Sequence, residues 1–336
     1  MTTSRAMVMP VAGAPLELVE RPRPEPGPGE VVVRVRACSL NYHDLVNLMG
    51  LIDGPWPRVP LTDGAGEVVA VGEGVGAVSV GDHVVGAFHP SWPSGPPTRE
   101  AKRLCPGDSG DGWLQQHQRF PAAAVVRAPA GLSMEEAATL PCAAVTAWSA
   151  LRTAGLRPGQ VVVTLGTGGV SVFALQLALA HGAVVVATSS SDDKLEHVRE
   201  LGAQHVVNHR TAPEWHTAVK RLTGGVGADV VVDVVGPETL DRSVRAVRVG
   251  GSVIIAGVLS GAGAAEVPVA HAMTRNVRLQ GVTVGSVADL DDLCRAVEAT
   301  GLRPRISHLL DWTEVAEGAR LMGAGEHLGK VVVRVP

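Results

Sequence analysis

Apolar and polar positions change rhythm twice along the chain. From residue 7 to about 130, short β-rich runs (31–37, 66–71, 83–88 and 124–127) are separated by Pro and Gly clusters, the texture of a compact β domain. The proline-rich piece at 22–28 is a connector, because its residues cannot join a ladder. A helical pattern runs from 133 to 153, and from Gln160 strand and helix patterns alternate. Val161, Val162, Val163 and Leu165 predict a strand. A helix starting near Val170 follows, with apolar Val172, Phe173, Leu175, Leu177, Ala178 and Leu179, and His181-Gly182 ends it before a parallel partner strand at 184–188. Further strands are expected at 228–235, 252–257, 277–284 and 330–335, with helices at 237–247, 288–300 and 313–322. The fold class this predicts is α/β, a doubly wound parallel sheet joined to a β-rich domain.

The link between the first two strands of the alternating region carries the strongest chemical signal. Gly166, Thr167, Gly168 and Gly169 let the backbone turn tightly and open directly onto a helix N-terminus, where N–H groups suit a pyrophosphate. The third glycine of the usual fingerprint is replaced by Ser171, still small enough for close helix–strand packing. The reading is a dinucleotide site, against an ordinary strand–helix turn without a ligand.

Composition narrows the picture. Hydrophobic residues make up 46% and charged residues 18% of 336, which fits two packed cores and not disorder. A net charge of −4 offers no basic footprint, so nucleic acid is not an expected partner. The four cysteines (Cys38, Cys105, Cys142, Cys294) form no C-x-x-C pair, so neither a disulfide framework nor a four-cysteine zinc lobe is encoded. The first residues lack the apolar core of a signal peptide, and no stretch reads as a membrane span. A cytoplasmic protein is expected.

Several stretches together resemble the medium-chain dehydrogenase/reductase superfamily, in its zinc-independent alcohol dehydrogenase and quinone-oxidoreductase-like branch. They are VRACSLNYHDL (35–45), PLTDGAGEVVAVGEGV (60–75), GDHVVG (81–86), EEAATLPCAAVTAW (135–148), GTGGVSVFALQLA (166–178) and GKVV (329–332). The resemblance implies a GroES-like catalytic domain from residues 1–143 and 286–336, and a Rossmann dinucleotide-binding domain at 144–285. It puts Leu40, Thr62 and Cys142 at the three places where zinc-binding members hold their catalytic metal. Only Cys142 can ligate, and Asp63 beside Thr62 does not restore the set, so no metal is expected there. Cys105 stands alone where a structural zinc lobe would be.

In NAD-preferring Rossmann domains an acid at the end of the second strand accepts from the adenosine ribose. Counted back from Glu200-Leu201-Gly202-Ala203, a run shared with the family it resembles, that place falls at Ser189, followed by Ser190 and Ser191, and hydroxyls can donate to a 2′-phosphate. The expected cofactor is therefore NADP(H), with NAD(H) as the alternative. By the resemblance Lys194 neutralises that phosphate, His209 lines the adenine-ribose pocket, Thr146 touches the cofactor near its nicotinamide, and Lys330 reaches the pyrophosphate or lies as a surface lysine. Asp192 and Asp193 count against this, or simply cap the helix they start.

Tyr42 stands two residues past the lost metal-ligand position, and the resemblance turns it toward the nicotinamide end, where its phenol could polarise a carbonyl or protonate an enolate. The plain alternative is packing. Asn41 is the second donor, to ribose or substrate, while His43 reads as easily as an outside residue and Asp44 as a cap. Trp56, Phe88, Trp92 and Trp113 are either an apolar substrate wall or domain core. Gly107-Asp108-Ser109-Gly110 imitates a serine-protease motif in the wrong context and is set aside. Three activities are consistent with this: an NADPH-dependent reductase of quinones or α,β-unsaturated carbonyl compounds, a zinc-independent alcohol dehydrogenase or ketoreductase, and a non-catalytic NADP(H)-binding protein. A homodimer joined along the 277–284 edge is expected, with a small-molecule substrate as the other partner.

Overall fold

The computed structural model describes residues 2–336. They form two compact units, one of residues up to Val145 together with Val284–Pro336, the other Thr146–Thr283.

The first unit opens with an antiparallel pair, β1 (Thr3–Val8) and β2 (Glu17–Pro22). Strand β3 (Glu30–Ser39) leads into helix α1 (Tyr42–Leu48), followed by β4 (Asp63–Val71), β5 (His83–Gly86), β6 (His117–Pro121) and β7 (Val125–Arg127). Helix α2 (Met134–Ala137) and a π turn at Leu140–Ala144 lead to helix α3 (Val145–Ala154). The expected single helix at 133–153 is thus broken, with Pro141 near the start of the π turn, where it has no helical N–H to give. Strand β3 is the hub, pairing with β4 and β6, and its valines are fully buried. Trp113 packs across the paired strands β4 and β5 at their glycines. A Cβ on Gly86 would lie 1.9 Å from its Cζ2, and one on Gly64 2.4 Å from its ring. Trp113 is 0% exposed. With Phe88 and Trp92 also buried, three of the four aromatics considered for a substrate wall pack in the domain interior.

The second unit holds a six-stranded sheet. Its elements in order are β8 (Val161–Leu165), α4 (Gly169–Ala180), β9 (Val184–Ser189), α5 (Asp192–Glu200), β10 (His205–Asn208), α6 (Trp215–Leu222), β11 (Ala228–Asp233), α7 (Leu240–Ala246), β12 (Val247–Ile255), α8 (Val269–Thr274) and β13 (Arg278–Gly281). All pairs are parallel and the spatial order is β10-β9-β8-β11-β12-β13, the Rossmann order with its switch between β8 and β11. Val163, Val186, Val231 and Val253 sit in one core with Trp215, because helices cover both faces of a parallel sheet. The helix expected at 237–247 starts late. Asp233 accepts from the N–H groups of Val235 and Gly236 and from the Thr239 hydroxyl, which spends residues 234–239 on a turn, and Val247 joins β12.

The chain then returns to the first unit through α9 (Val287–Thr300), β14 (Ile306–Asp311), α10 (Val315–Gly323) and β15 (Lys330–Arg334). Strand β15 pairs parallel with β14 and antiparallel with β3, which brings Lys330 beside the end of β3. No helix among the described residues is long and apolar enough to cross a membrane.

Candidate functional site

In the second unit the loop between β8 and α4 is built as its glycines require. Gly166 has φ +77°, a left-handed conformation that other residues resist. Gly168 is the N-cap of α4 and supplies no side-chain cap, leaving the first-turn N–H groups of this twelve-residue helix for an anion. Ser171 is buried and its hydroxyl donates to the Leu165 carbonyl at 2.7 Å, which fastens α4 against β8 in the role of the missing third glycine. Gly166, Thr167, Gly168, Gly169 and Val170 therefore form one continuous cradle, and the residues present fit a dinucleotide pyrophosphate. Thr146 is buried on α3.

At the neighbouring strand end, Ser189 is the last residue of β9 and is 3% exposed, its hydroxyl accepting from the Ser191 N–H at 3.3 Å. Ser191 caps α5 by accepting from the Lys194 N–H, which places Lys194 in the first turn near Ser189 and Ser190. Asp192 is drawn aside by Asn208, whose Nδ2 donates to it at 2.7 Å, and both Asp192 and Asp193 stand in the first turn of α5, where negative charge is favoured. The His209 N–H donates to the Ser189 carbonyl at 3.0 Å, so His209 lies at the same strand ends with its side chain exposed.

In the first unit a buried polar cluster gathers at the start of α1. Asn41 is its N-cap. The Asp44 carboxylate accepts from the Asn41 N–H at 2.8 Å and the Thr62 N–H at 3.0 Å, so Asp44 is a cap and also a tie between α1 and the segment leading into β4. The Asn41 Nδ2 donates to the Thr62 hydroxyl at 3.1 Å, and its Oδ1 accepts from Lys330 Nζ at 2.5 Å. Lys330 also donates to the Leu40 carbonyl at 2.7 Å and lies 4.0 Å from Asp63. At 3% exposure it is no surface lysine, and its amine is held by Leu40 and Asn41. The reason is the parallel β14–β15 register together with the β15–β3 pairing, which drives the side chain inward. Asn41 in turn has one Nδ2 hydrogen left to offer.

Burial pushes the Asp63 carboxyl up to about 7, against the nearby Lys330 charge, and one of its oxygens has no hydrogen-bond partner. Burial likewise raises Asp44. Tyr42, the first residue of α1, is 43% exposed. His43 is not an outside residue: its Nε2 lies 2.7 Å from Asp108 Oδ2, and with Cys105 the two form the one group of three metal-capable side chains among the described residues.

The comparisons fit this architecture. Residues 27–130 match the alcohol dehydrogenase GroES-like domain model and residues 169–299 the zinc-binding dehydrogenase model. A zinc-type alcohol dehydrogenase-like protein of Schizosaccharomyces pombe is 40% identical over 314 residues, 91% of either chain. An acryloyl-coenzyme A reductase of Metallosphaera sedula is 27% identical over 314 residues, 90% of this chain and 92% of its own. A solved alcohol dehydrogenase candidate from Sinorhizobium meliloti 1021 superposes at TM-score 0.94 with 39% identity over the whole of both chains. An NAD-dependent alcohol dehydrogenase gives 0.88 with 37% identity over 99% of this chain and all of its own. The chain belongs to the medium-chain dehydrogenase/reductase superfamily, and it is an oxidoreductase of that type.

The zinc implied by one model name does not fit the family's catalytic place. Leu40 is a fully buried aliphatic, the Thr62 hydroxyl is engaged by Asn41, and the Lys330 ammonium lies against the Leu40 carbonyl. Cys142 is left as a single thiol, its N–H bonded to Asp63 at 3.3 Å.

Proposed function

We propose that this chain is an NADPH-dependent reductase of quinones or α,β-unsaturated carbonyl compounds that works without zinc at the family's catalytic place. The observation that carries it is the exposed Tyr42 at the start of α1, next in the chain to Asn41 of a buried cluster in which a lysine stands where a metal would be repelled. When bound, the dihydronicotinamide supplies the hydride. The chain's own part is to hold the pyrophosphate at Gly166–Val170 and to deliver a proton from Tyr42 to the oxygen, or to the enolate, that forms. Asn41 is positioned by Lys330 and Thr62 with its remaining amide hydrogen as a second donor. The acryloyl-coenzyme A reductase among the relatives, whose name describes reduction of an activated alkene, supports the C=C reading. The alcohol dehydrogenases favour a second reading, reduction at C=O by the same machinery.

The serine run and Lys194 support NADP(H) over NAD(H), since no carboxylate ends β9. The related NAD-dependent alcohol dehydrogenase is the reason to measure both. A homodimer through β13 is part of the same reading: all four of its residues are exposed at the sheet edge, and an unpaired edge invites pairing about a two-fold axis. The cytoplasm is the proposed compartment.

The test is NADPH and NADH oxidation against quinone, enone, aldehyde and ketone panels with products identified. Tyr42→Phe is expected to lower kcat by about a hundredfold or more while the protein stays folded. Full activity in Tyr42→Phe, or turnover confined to simple alcohols and ketones, overturns the leading reading.

A further inference from the structure

The Gly107-Asp108-Ser109-Gly110 segment, without a role in hydride transfer, lies in a turn that brings three metal-capable side chains together. Asp108 N–H and Ser109 N–H both donate to the Cys105 carbonyl at 3.1 Å, and the Ser109 hydroxyl bonds back to the Cys105 N–H at 2.9 Å. Gly107 at φ +83° allows that tight course, so Cys105 and Asp108, three residues apart, face the same space. Helix α1 supplies the third group. His43 and Asn47 are four residues apart and so share one helix face, and both reach this turn. One ligand atom from each of His43, Cys105 and Asp108 lies within 4.8 Å of the other two.

We propose that His43, Cys105 and Asp108 bind one divalent transition-metal ion of borderline softness, Zn²⁺ foremost, with a fourth position open to water. Imidazole, thiolate and carboxylate are the donor set such an ion takes, whereas Ca²⁺ and Mg²⁺ seek oxygen alone. The outer shell is already in place. Asn47 Nδ2 donates to Asp108 Oδ1 at 3.1 Å and to the Gly107 carbonyl at 2.8 Å. Arg58 donates to the Asp108 carbonyl at 2.9 Å and to Asn47 Oδ1 at 2.6 Å. Asn47 and Arg58 are essentially inaccessible, so the carboxylate's approach is set by buried partners, as the second shells of metal sites are. Phe88 packs edge-on against the His43 ring at 5.4 Å between centroids.

His43 and Asp108 keep side-chain exposures of 34% and 15%, which leaves room for the water ligand. Cys105 also lines a cavity of about 420 Å³ together with Pro106, Ser109 and Gly110. Binding converts the Cys105 thiol to thiolate and releases its proton to solvent, replacing the His43–Asp108 hydrogen bond with two metal bonds. The ion ties α1, and with it Asn41 and Tyr42, to the 105–110 turn. Its role is structural, and it is distinct from the metal that zinc-binding relatives use in catalysis.

The experiment uses the full-length chain stripped with a chelator, dialysed, and titrated with Co²⁺ alone. One Co²⁺ per chain should bind with a thiolate-to-cobalt charge-transfer band, be displaced by Zn²⁺, and raise the melting temperature, while Mg²⁺ and Ca²⁺ do neither. Cys105→Ser should abolish the band, and Asp108→Asn and His43→Gln should each weaken Co²⁺ binding about tenfold or more. Cys142→Ser should leave band and affinity unchanged. The two weaker variants keep the test open if Cys105→Ser fails to fold. Absence of stoichiometric binding to the wild-type chain, or a band lost in Cys142→Ser and kept in Cys105→Ser, overturns the proposal. Because the readout is binding, a wrong assignment of substrate leaves this test intact.

Discussion

Replacing Lys330 by Met keeps the length and apolar stem of the side chain while removing its ammonium, and it separates two accounts of this residue. In the structure Nζ donates to the Leu40 carbonyl at 2.7 Å and to Asn41 Oδ1 at 2.5 Å, with Asp63 at 4.0 Å. A hydrogen bond from a charged donor contributes about 1.5–3 kcal/mol, and each buried acceptor left alone costs about 1–3 kcal/mol. The buried Asp63 carboxylate also loses its counter-charge, a change of the kind that costs about 3–5 kcal/mol when one partner is removed. These contributions overlap, because the Asp63 carboxyl can take up a proton, so about 3–5 kcal/mol is the expected loss. Urea unfolding at pH 7 measures it. With Asn41 unanchored, kcat should fall about tenfold while KM for NADPH stays within about twofold, since nothing in this account puts Nζ on the cofactor. Stability within about 1 kcal/mol of wild type, combined with a KM for NADPH raised tenfold or so, would refute this and return Lys330 to the pyrophosphate role implied by the resemblance.

Ser189→Asp should shift preference from NADPH toward NADH, and Lys194→Ala should weaken NADPH alone by about ten- to a hundredfold, the worth of one charge-assisted contact; equal weakening of both cofactors in side-by-side titrations sinks that assignment. Gly86→Ala should unfold or prevent expression of the protein, because its new Cβ meets the Trp113 ring at 1.9 Å and Trp113 is enclosed on all sides; a soluble variant with wild-type melting temperature contradicts the packing described. Asp63→Asn tests the raised carboxyl, whose usual value is near 3.8 and whose folded value is about 7. A group raised on folding stabilises fully below its unfolded pKa and loses that contribution as pH rises through its folded one, so the stability of Asp63→Asn relative to wild type should climb between pH 4 and 8. The climb is of the order of 4 kcal/mol at most, and a flat difference curve dismisses the shift.

The Rossmann half was readable because a parallel strand buried on both faces is a run of valines, and the glycines at 166–169 interrupt that run at a fixed place. Boundaries failed where side chains captured backbone, as Asp233 does ahead of α7. Helix α1 is only seven residues long, too short for a period to declare itself. The burial of Lys330, which excludes the surface-lysine alternative, was illegible because its acceptors are remote in the chain; the Leu40 carbonyl is 290 residues away. The His43, Cys105 and Asp108 grouping is illegible for the same reason, with His43 and Asp108 65 residues apart and no short ligand motif joining them.

The lost ligands and the buried lysine are two sides of one electrostatic arrangement. By the resemblance Leu40 and Thr62 fall at two of the three metal places, and the ammonium of Lys330 bonds the carbonyl of the first and lies 4.0 Å from the residue after the second. Two unit charges about 4 Å apart interact by about 4 kcal/mol at an effective dielectric near 20, so a divalent ion that close to Nζ would be repelled by roughly twice that. One thiol at Cys142 cannot outweigh such a penalty. The single positive charge is instead used to hold Asn41 and to face Asp63, and in the function proposed above it is the solvent-reaching phenol of Tyr42 that delivers the proton, with no Lewis acid needed.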